Sequence, residues 1–286
     1  MATELIRPGR FFSVRLRFSR GVITIAVIVV VLAVAVSVGL YHLLKRAPVV
    51  VREAYCVVDT PVGVRELDPE QARISATIAA VAARRKLPER AVVIAYATAL
   101  QESKLRNVDY GDRDSVGVFQ QRESQGWGTK KQIMDPVYAT NRFFAALVKV
   151  KNYRKLPLAE AAQAVQRSAG GYAYAPHEEE AKILAAAFTG KVPRALHCWY
   201  PQTRTPAPAP RTREARKQLA RALGSTAITT EKRGWLVASW WVAHAEMYGL
   251  TRVGYGGATW SNDYETEGWE ADGKPGKPGA RRVELS

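Results

Sequence analysis

The stretch from Gly21 to Leu44 constrains the chain more than any other. It holds no Asp, Glu, Lys or Arg and consists mostly of Val, Ile, Ala and Leu. As a helix rising about 1.5 Å per residue it reaches the roughly 30 Å of a bilayer core with allowance for tilt. It therefore reads as one transmembrane helix, residues 21–44, behind a basic tail, residues 1–20. Arg7, Arg10, Arg15, Arg17 and Arg20 precede the helix and outweigh Lys45, Arg46 and Arg52 beyond it. That asymmetry keeps the N-terminus cytoplasmic and exports everything after residue 44 to the cell exterior. A cleaved signal peptide is the rival, because Ala33-Val34-Ala35 is similar to a cleavage site. The apolar run, however, continues past it and outlasts the usual h-region. A single span lines no polar pathway, which argues against a transporter. Membrane lipid is the first partner the sequence implies.

The remaining chain reads as mainly α. Residues 45–67 form a stalk, with Pro48, Pro61 and Gly63 breaking any periodicity. Residues 68–200 follow as an all-α domain. Asp68-Pro69-Glu70-Gln71 opens a helix in which Asp68 caps, Pro69 suits the first turn and Gln71 completes a capping box. Ile74, Ile78 and Val81 then give it a buried stripe. Leu87-Pro88-Glu89 begins the next helix, through Ala91 to Leu105. Asp135-Pro136 starts another to about Lys151, Pro157-Leu158 one to Gln166, and His177 one to Phe188, ended by Gly190. No alternating strand pattern interrupts them. Residues 201–213 are a proline-rich linker, extended and semi-rigid.

Residues 214–270 read as a small α/β unit. It has helices over Glu214 to Leu223 and Gly234 to Tyr248, a strand over Ser225 to Thr229, and a hairpin joining Arg252–Tyr255 to Ala258–Ser261 across Gly256-Gly257. Its Trp240-Trp241 pair either faces a glycan or packs on the strands. Residues 271–286, with Lys274-Pro275-Gly276-Lys277-Pro278-Gly279, have too little apolar content to fold and read as a disordered tail.

The formal net charge is +16 over 286 residues, which suggests an anionic partner. Nucleic acid is set aside, because no basic helix carries interleaved base-stacking aromatics. Anionic wall polymers and lipid head groups suit an exported chain better, as does a generally solvated basic surface. Cys56 and Cys198 are the two cysteines. They bracket the all-α domain and are expected to oxidise outside the cytoplasm; two unpaired buried thiols are the alternative. His42, His177, His197 and His244 are scattered, so neither a metal site nor a cofactor is expected.

One carboxylate stands out. Glu102 ends an apolar helical run whose face through Ala95, Thr98 and Ala99 lies below its side chain. Desolvation there would penalise the charged form, the condition a general acid needs. An ion pair with Arg106, four residues on, would instead keep it charged and inert. A polar loop follows, Gly111-Asp112-Arg113-Asp114-Ser115-Val116-Gly117-Val118-Phe119-Gln120-Gln121.

Glu102-Ser103 followed by Asn107 resembles the Glu-Ser motif of the soluble lytic transglycosylase and lysozyme-like superfamily. Gly117-Val118-Phe119-Gln120 is similar to its second motif, commonly Gly-Leu-Met-Gln. Ala164-Val165-Gln166-Arg167-Ser168-Ala169-Gly170 stands in the place of its third, Ala-Tyr-Asn-Ala-Gly. The stretch through Gln121 to Gly128 is closer to a variant seen in actinobacterial membrane-anchored proteins and phage lysins. The likeness covers roughly Asp68 to Gly190.

That resemblance implies cleavage of the β-1,4 bonds between muramic acid and glucosamine in peptidoglycan glycan strands. Glu102 would be acid and base, Ser103 a supporting donor, and Gly117, Val118, Phe119, Gln120 and Gln121 a wall of the cleft. Gln166-Arg167 replaces Tyr-Asn in the third motif, which leaves the Gln166 contact in doubt. Tyr174 is the cleft tyrosine of the variant, or else an ordinary half-buried aromatic.

A transglycosylase needs one acid, whereas a muramidase more often needs a partner carboxylate. Asp109, Asp112 or Asp114 could supply one, unless Asp112 and Asp114 only shape their loop. A catalytically weak wall-binding scaffold is the third possibility. Trp127 would stack on a sugar or anchor packing. The C-terminal unit resembles the opening of a small α/β domain of secreted wall proteins and endolysins. It lacks the downstream His and Asp metal motif, so it reads as a binding or spacing module.

Overall fold

The computed structural model describes residues 19–46, 53–166, 172–201, 209–266, 268–272 and 283–286. The arginines from Arg7 to Arg17, Arg167 to Gly170 of the third motif, the Thr203–Pro208 part of the linker and the Lys274–Gly279 segment lie outside these. The chain divides into two compact units, Met1–Val51 and Arg52–Ser286.

In the first unit, α1 (Arg20–Arg46) is a continuous helix of 27 residues. Its Arg20–His42 stretch is long and apolar enough to cross a membrane, the one such helix among the described residues. Its Val, Ile and Leu side chains stand exposed. A helix satisfies its own backbone hydrogen bonds, so these apolar flanks are ready for lipid.

The second unit is mainly helical, with a small sheet at one end of its helical core and a strand-rich C-terminal region. Its helices are α2 (Pro69–Arg84), α3 (Glu89–Ser103), α4 (Lys130–Ile133), α5 (Pro136–Leu147), α6 (Leu158–Gln166), α7 (Glu178–Phe188), α8 (Thr212–Leu223), α9 (Glu231–Ala243) and α10 (Ala245–Tyr248). The capping box that opens α2 forms as its residues dictate: the Asp68 side chain accepts from the Gln71 amide at 2.9 Å, and the Gln71 side chain accepts from the Asp68 amide at 3.0 Å. Asp135 caps α5 through the amides of Val137 and Tyr138, at 3.0 and 3.3 Å.

Helix α2 is buried without a break from Ile74 to Ala82, not along a stripe alone. It touches α3, α5, α7, α8 and α9. The small side chains of Ala79, Ala80 and Ala82 let neighbours approach from all round.

Several expectations are corrected. Much of the stalk is sheet, since β1 (Tyr55–Thr60) and β2 (Gly63–Leu67) form an antiparallel hairpin. Pro61 sits in its turn, where a missing N–H costs nothing. β5 (Leu196–Trp199) completes the order β2-β1-β5, so this domain is not all-α. Cys56 faces Cys198 across β1 and β5, and the two are joined by a disulfide.

The C-terminal segment is not a separate unit either. Trp260 Nε1 donates to the Cys198 carbonyl at 3.0 Å and Trp269 Nε1 to the Leu196 carbonyl at 2.8 Å. Asn262 brackets the Tyr200 backbone at 2.8 and 3.0 Å. These bonds fasten a second sheet, β8 (Trp269–Ala271), β7 (Ala258–Ser261), β6 (Arg252–Tyr255) and β9 (Glu284–Leu285) in that order, beside β5; with Val283 buried and β9 paired to β6, the described end of residues 271–286 is not the disordered tail expected.

The hairpin of β6 and β7 turns on Gly256 and Gly257 at φ +64° and +78°, as a tight hairpin turn needs. Ser225 to Thr229 is irregular, not a strand. Both Trp240 and Trp241 are buried, 1 % and 2 % exposed, so they pack and do not present a glycan-facing platform. Arg221 of α8 grips Asp135 with two bonds of 2.5 and 2.6 Å, tying α8 to the start of α5.

Candidate functional site

Helix α3 carries Glu102 in its last turn. Ala95, Thr98 and Ala99, the face beneath it, are all fully buried, while Glu102 itself is half-buried. A carboxylate in the last turn stands at the negative end of the helix dipole, the reverse of the favoured placement. Rule-breaking of this kind concentrates at functional sites.

The backbone then turns sharply. Lys104 and Leu105 both take left-handed φ, +55° and +59°, and the Leu105 amide reaches back to the Ala99 carbonyl at 3.1 Å. Leu105 locks the turn because its side chain is fully buried. Arg113 and Gln120 add two more positive φ values, +58° and +46°. Strain of this sort, about 1–3 kcal/mol per residue, persists only where surroundings over-determine it.

The surroundings do so here. Ser103 Oγ donates to the Val118 carbonyl at 2.8 Å and accepts from the Arg106 amide at 3.2 Å, so the Glu-Ser pair is sewn to the Gly117–Gln121 stretch. Asn107 Nδ2 donates to the Met134 carbonyl at 2.8 Å, and the Asn107 amide donates to Glu70 at 2.9 Å. Gly117 has φ +77°, and a Cβ there would lie 2.9 Å from the Ile133 carbonyl oxygen. Short strands β3 (Ser115–Val116) and β4 (Gln121–Arg122) close the loop.

The polar contact to Glu102 comes from 72 residues away. Tyr174, 2 % exposed, donates its hydroxyl to Glu102 Oε1 at 2.7 Å. Among the described residues no cation pairs with Glu102. Arg106, the expected partner, lies instead against Asp68 and Glu70. One turn further, His177 Nε2 meets Gln101 Oε1 at 3.0 Å. Burial and the nearby Lys104 charge hold His177 below its ordinary pKa. The 174–177 turn thus grips two adjacent residues at the end of α3. The sequence marked Tyr174 but gave no sign of the His177 to Gln101 contact.

Other expected site residues fall into two groups. Gln120 is half-buried, and its Nε2 donates to the Tyr110 and Gly117 carbonyls at 3.2 and 3.3 Å. Gln166 donates to the Phe119 carbonyl at 2.7 Å, so it braces the loop from α6. Val118 and Phe119 are fully buried and Gln121 is 1 % exposed. Phe119 stacks on Phe143 at 4.4 Å, and Gln121 Nε2 donates to the Ala139 carbonyl at 3.2 Å. These three side chains are packed into the core. Trp127, 8 % exposed, is a packing anchor.

Of the loop carboxylates, Asp114 is committed. It accepts from the Ser124 amide at 2.8 Å, Arg122 Nε at 2.7 Å and Ser124 Oγ at 2.9 Å, and these bonds hold its pKa far below the usual carboxylate range. Asp109 and Asp112 are exposed. Among the described residues no cluster of His, Cys, Asp or Glu is placed to hold a metal ion. No protein-family model matches the chain and no curated protein is similar to it in sequence, so the chemistry of the site is read from its own geometry.

Proposed function

We propose that this chain is a membrane-anchored enzyme that cleaves the β-1,4 bond between muramic acid and glucosamine in peptidoglycan, by the lytic transglycosylase route. The observation that carries the reading is the setting of Glu102. A half-buried carboxyl ends an apolar helix and is aimed by a buried tyrosine hydroxyl at 2.7 Å, with a strained, braced loop beside it. In the proposed reaction Glu102 gives its proton to the leaving glycosidic oxygen as the bond to the sugar breaks. It then takes the proton of the muramyl hydroxyl that closes the anhydro ring. One acid suffices, and the commitment of Asp114 to Arg122 and Ser124 favours this route over a muramidase that needs a second carboxylate. Helix α1 serves as the anchor, N-terminus in the cytoplasm, with residues 52–286 facing the wall.

Mass spectrometry of the products released from purified peptidoglycan tests the reading. Anhydro-muramyl ends are expected, and Glu102→Gln should abolish them. Free reducing ends would replace the transglycosylase by a hydrolase. Unchanged turnover in Glu102→Gln would remove Glu102 as the acid.

A further inference from the structure

A second surface stands apart from the Glu102 chemistry. From Lys130 to Ala159 the chain carries a single acidic residue, Asp135, and Arg221 already occupies it. The same stretch exposes Lys130 and Lys131 on α4 and Arg142 on α5. Beyond α5, Lys149, Lys151, Arg154 and Lys155 stand exposed on the turns that lead to α6. Among the described residues none of these cations is in an ion pair.

The patch is also concave. A pocket of about 340 Å³ lies between the 125–127 turn, α5 and α6, lined by Gln125, Trp127, Arg142, Lys149, Val150 and Val165. Its shape is fixed, because Arg142 donates to the Gly126 and Trp127 carbonyls at 2.9 and 3.2 Å.

Arg142 and Lys149 line one pocket, and Lys151, Arg154 and Lys155 follow Lys149 within six residues; unpaired like charges this close repel one another, and a polyanion neutralises them while shedding its own condensed counterions. We propose that the pocket rim, Arg142 and Lys149 with the adjoining 151–155 turns, binds a linear polymer that carries phosphate groups repeated along its length. Lysine, the commoner cation here, is a compact charge on a flexible stem, suited to following a mobile polymer; a bidentate fork suits a fixed carboxylate. A nucleic acid fits less well. Of the aromatic rings at the patch, Trp127 and Tyr153 are 8 % and 7 % exposed, and Tyr138 is half-buried with its hydroxyl bonded to the Trp127 carbonyl at 3.2 Å, so none stands out as an open stacking platform. A membrane surface also fits less well, since Val148 is the one large apolar side chain exposed there among the described residues, too little to insert.

The test uses the full chain in nanodiscs of zwitterionic lipid, titrated separately with labelled inorganic polyphosphate and with polyglutamate. Lys149→Gln/Lys151→Gln/Lys155→Gln is compared with a charge-matched control on α8, Arg213→Gln/Arg216→Gln/Lys217→Gln. For the first triple we expect polyanion affinity to fall by roughly tenfold or more, and the log–log salt slope to drop by about 2 to 3. The control should fall far less. Polyphosphate should bind tighter than polyglutamate, because lysine meets phosphate as a point charge, and the reverse order would overturn the assignment of a phosphate polymer. Equal losses in the two triples would show diffuse attraction to a basic protein and overturn the proposal. So would the absence of polyanion binding, or capture by phosphatidylglycerol vesicles that the first triple abolishes while neither polymer binds.

Discussion

Tyr174→Phe isolates one oxygen. The ring keeps its buried slot, 2 % exposed, so the substitution opens no cavity and changes no charge. What disappears is the hydroxyl 2.7 Å from Glu102 Oε1. A hydrogen bond to a charged group is worth about 1.5–3 kcal/mol. At about 1.4 kcal/mol per factor of ten in rate, that is roughly a 10- to 150-fold loss of turnover if the bond aims the catalytic carboxyl. If Glu102 is the acid proposed above, the loss should fall on kcat with KM nearly unchanged, because the hydroxyl would position the carboxyl and not bind the substrate. Steady-state release of anhydro-muramyl product gives both parameters, and thermal melting verifies that the variant is folded. In a Glu102→Gln background the same change should cost little more, since both residues act through one proton. A folded Tyr174→Phe enzyme within twofold of the parent, or one impaired in KM alone, would refute the claim that this contact organises the site.

Opening the disulfide, by reductant or by Cys56→Ala with Cys198→Ala, releases a constraint across 142 residues and should lower stability by up to about 5 kcal/mol in the chain-entropy account. Denaturant unfolding with and without reductant measures it, and an unmoved midpoint would mean that the strand bonds alone hold β1 to β5. Acid should loosen α8. Burial raises the Asp135 pKa, but the Arg221 hydrogen bond and charge outweigh it and leave the carboxyl below its ordinary value. A pKa depressed by folding contributes stability that is complete above the unfolded value, about 3.9, and is lost as pH falls through the folded value. Hydrogen-exchange protection factors along α8, corrected for the slower intrinsic exchange in acid, should therefore fall below about pH 4. In Arg221→Gln that pH dependence should vanish; its persistence would assign it elsewhere.

What the sequence disclosed was local. Caps are written in consecutive residues, so Asp68 with Gln71, Asp135 with Pro136, and the Gly256-Gly257 turn were all legible before any coordinates. The sheet was not, because β1 finds its partner β5 across 142 residues and its inward alternation of Cys56, Val58 and Thr60 is masked by Val57 between them. Within Gly117 to Gln121, pattern alone does not tell an exposed side chain from a buried one. Phe119, stacked on Phe143, belongs to the second kind. Glu102 and Tyr174 were each singled out, but their contact depends on how α7 packs on α3. The proline-rich stretch before α8 looked like a boundary. Proline marks where a chain is extended, and says nothing about whether the segments on either side pack together.

That packing bears on the site. The start of α2 holds the turn after Glu102 from three sides: Gln71 Nε2 donates to the Lys104 carbonyl at 2.9 Å, Glu70 accepts the Asn107 amide at 2.9 Å, and Asp68 pairs with Arg106. Left-handed Lys104 and Leu105 would relax if α2 could shift. It cannot shift freely while α8 and α9 pack against it; α8 is held in turn by Arg221 on Asp135, and the sheet whose β6 packs on α9 is held by the tryptophan bonds to β5. The C-terminal segment therefore acts on the proposed acid without approaching it, by keeping immobile the one helix that both regions share.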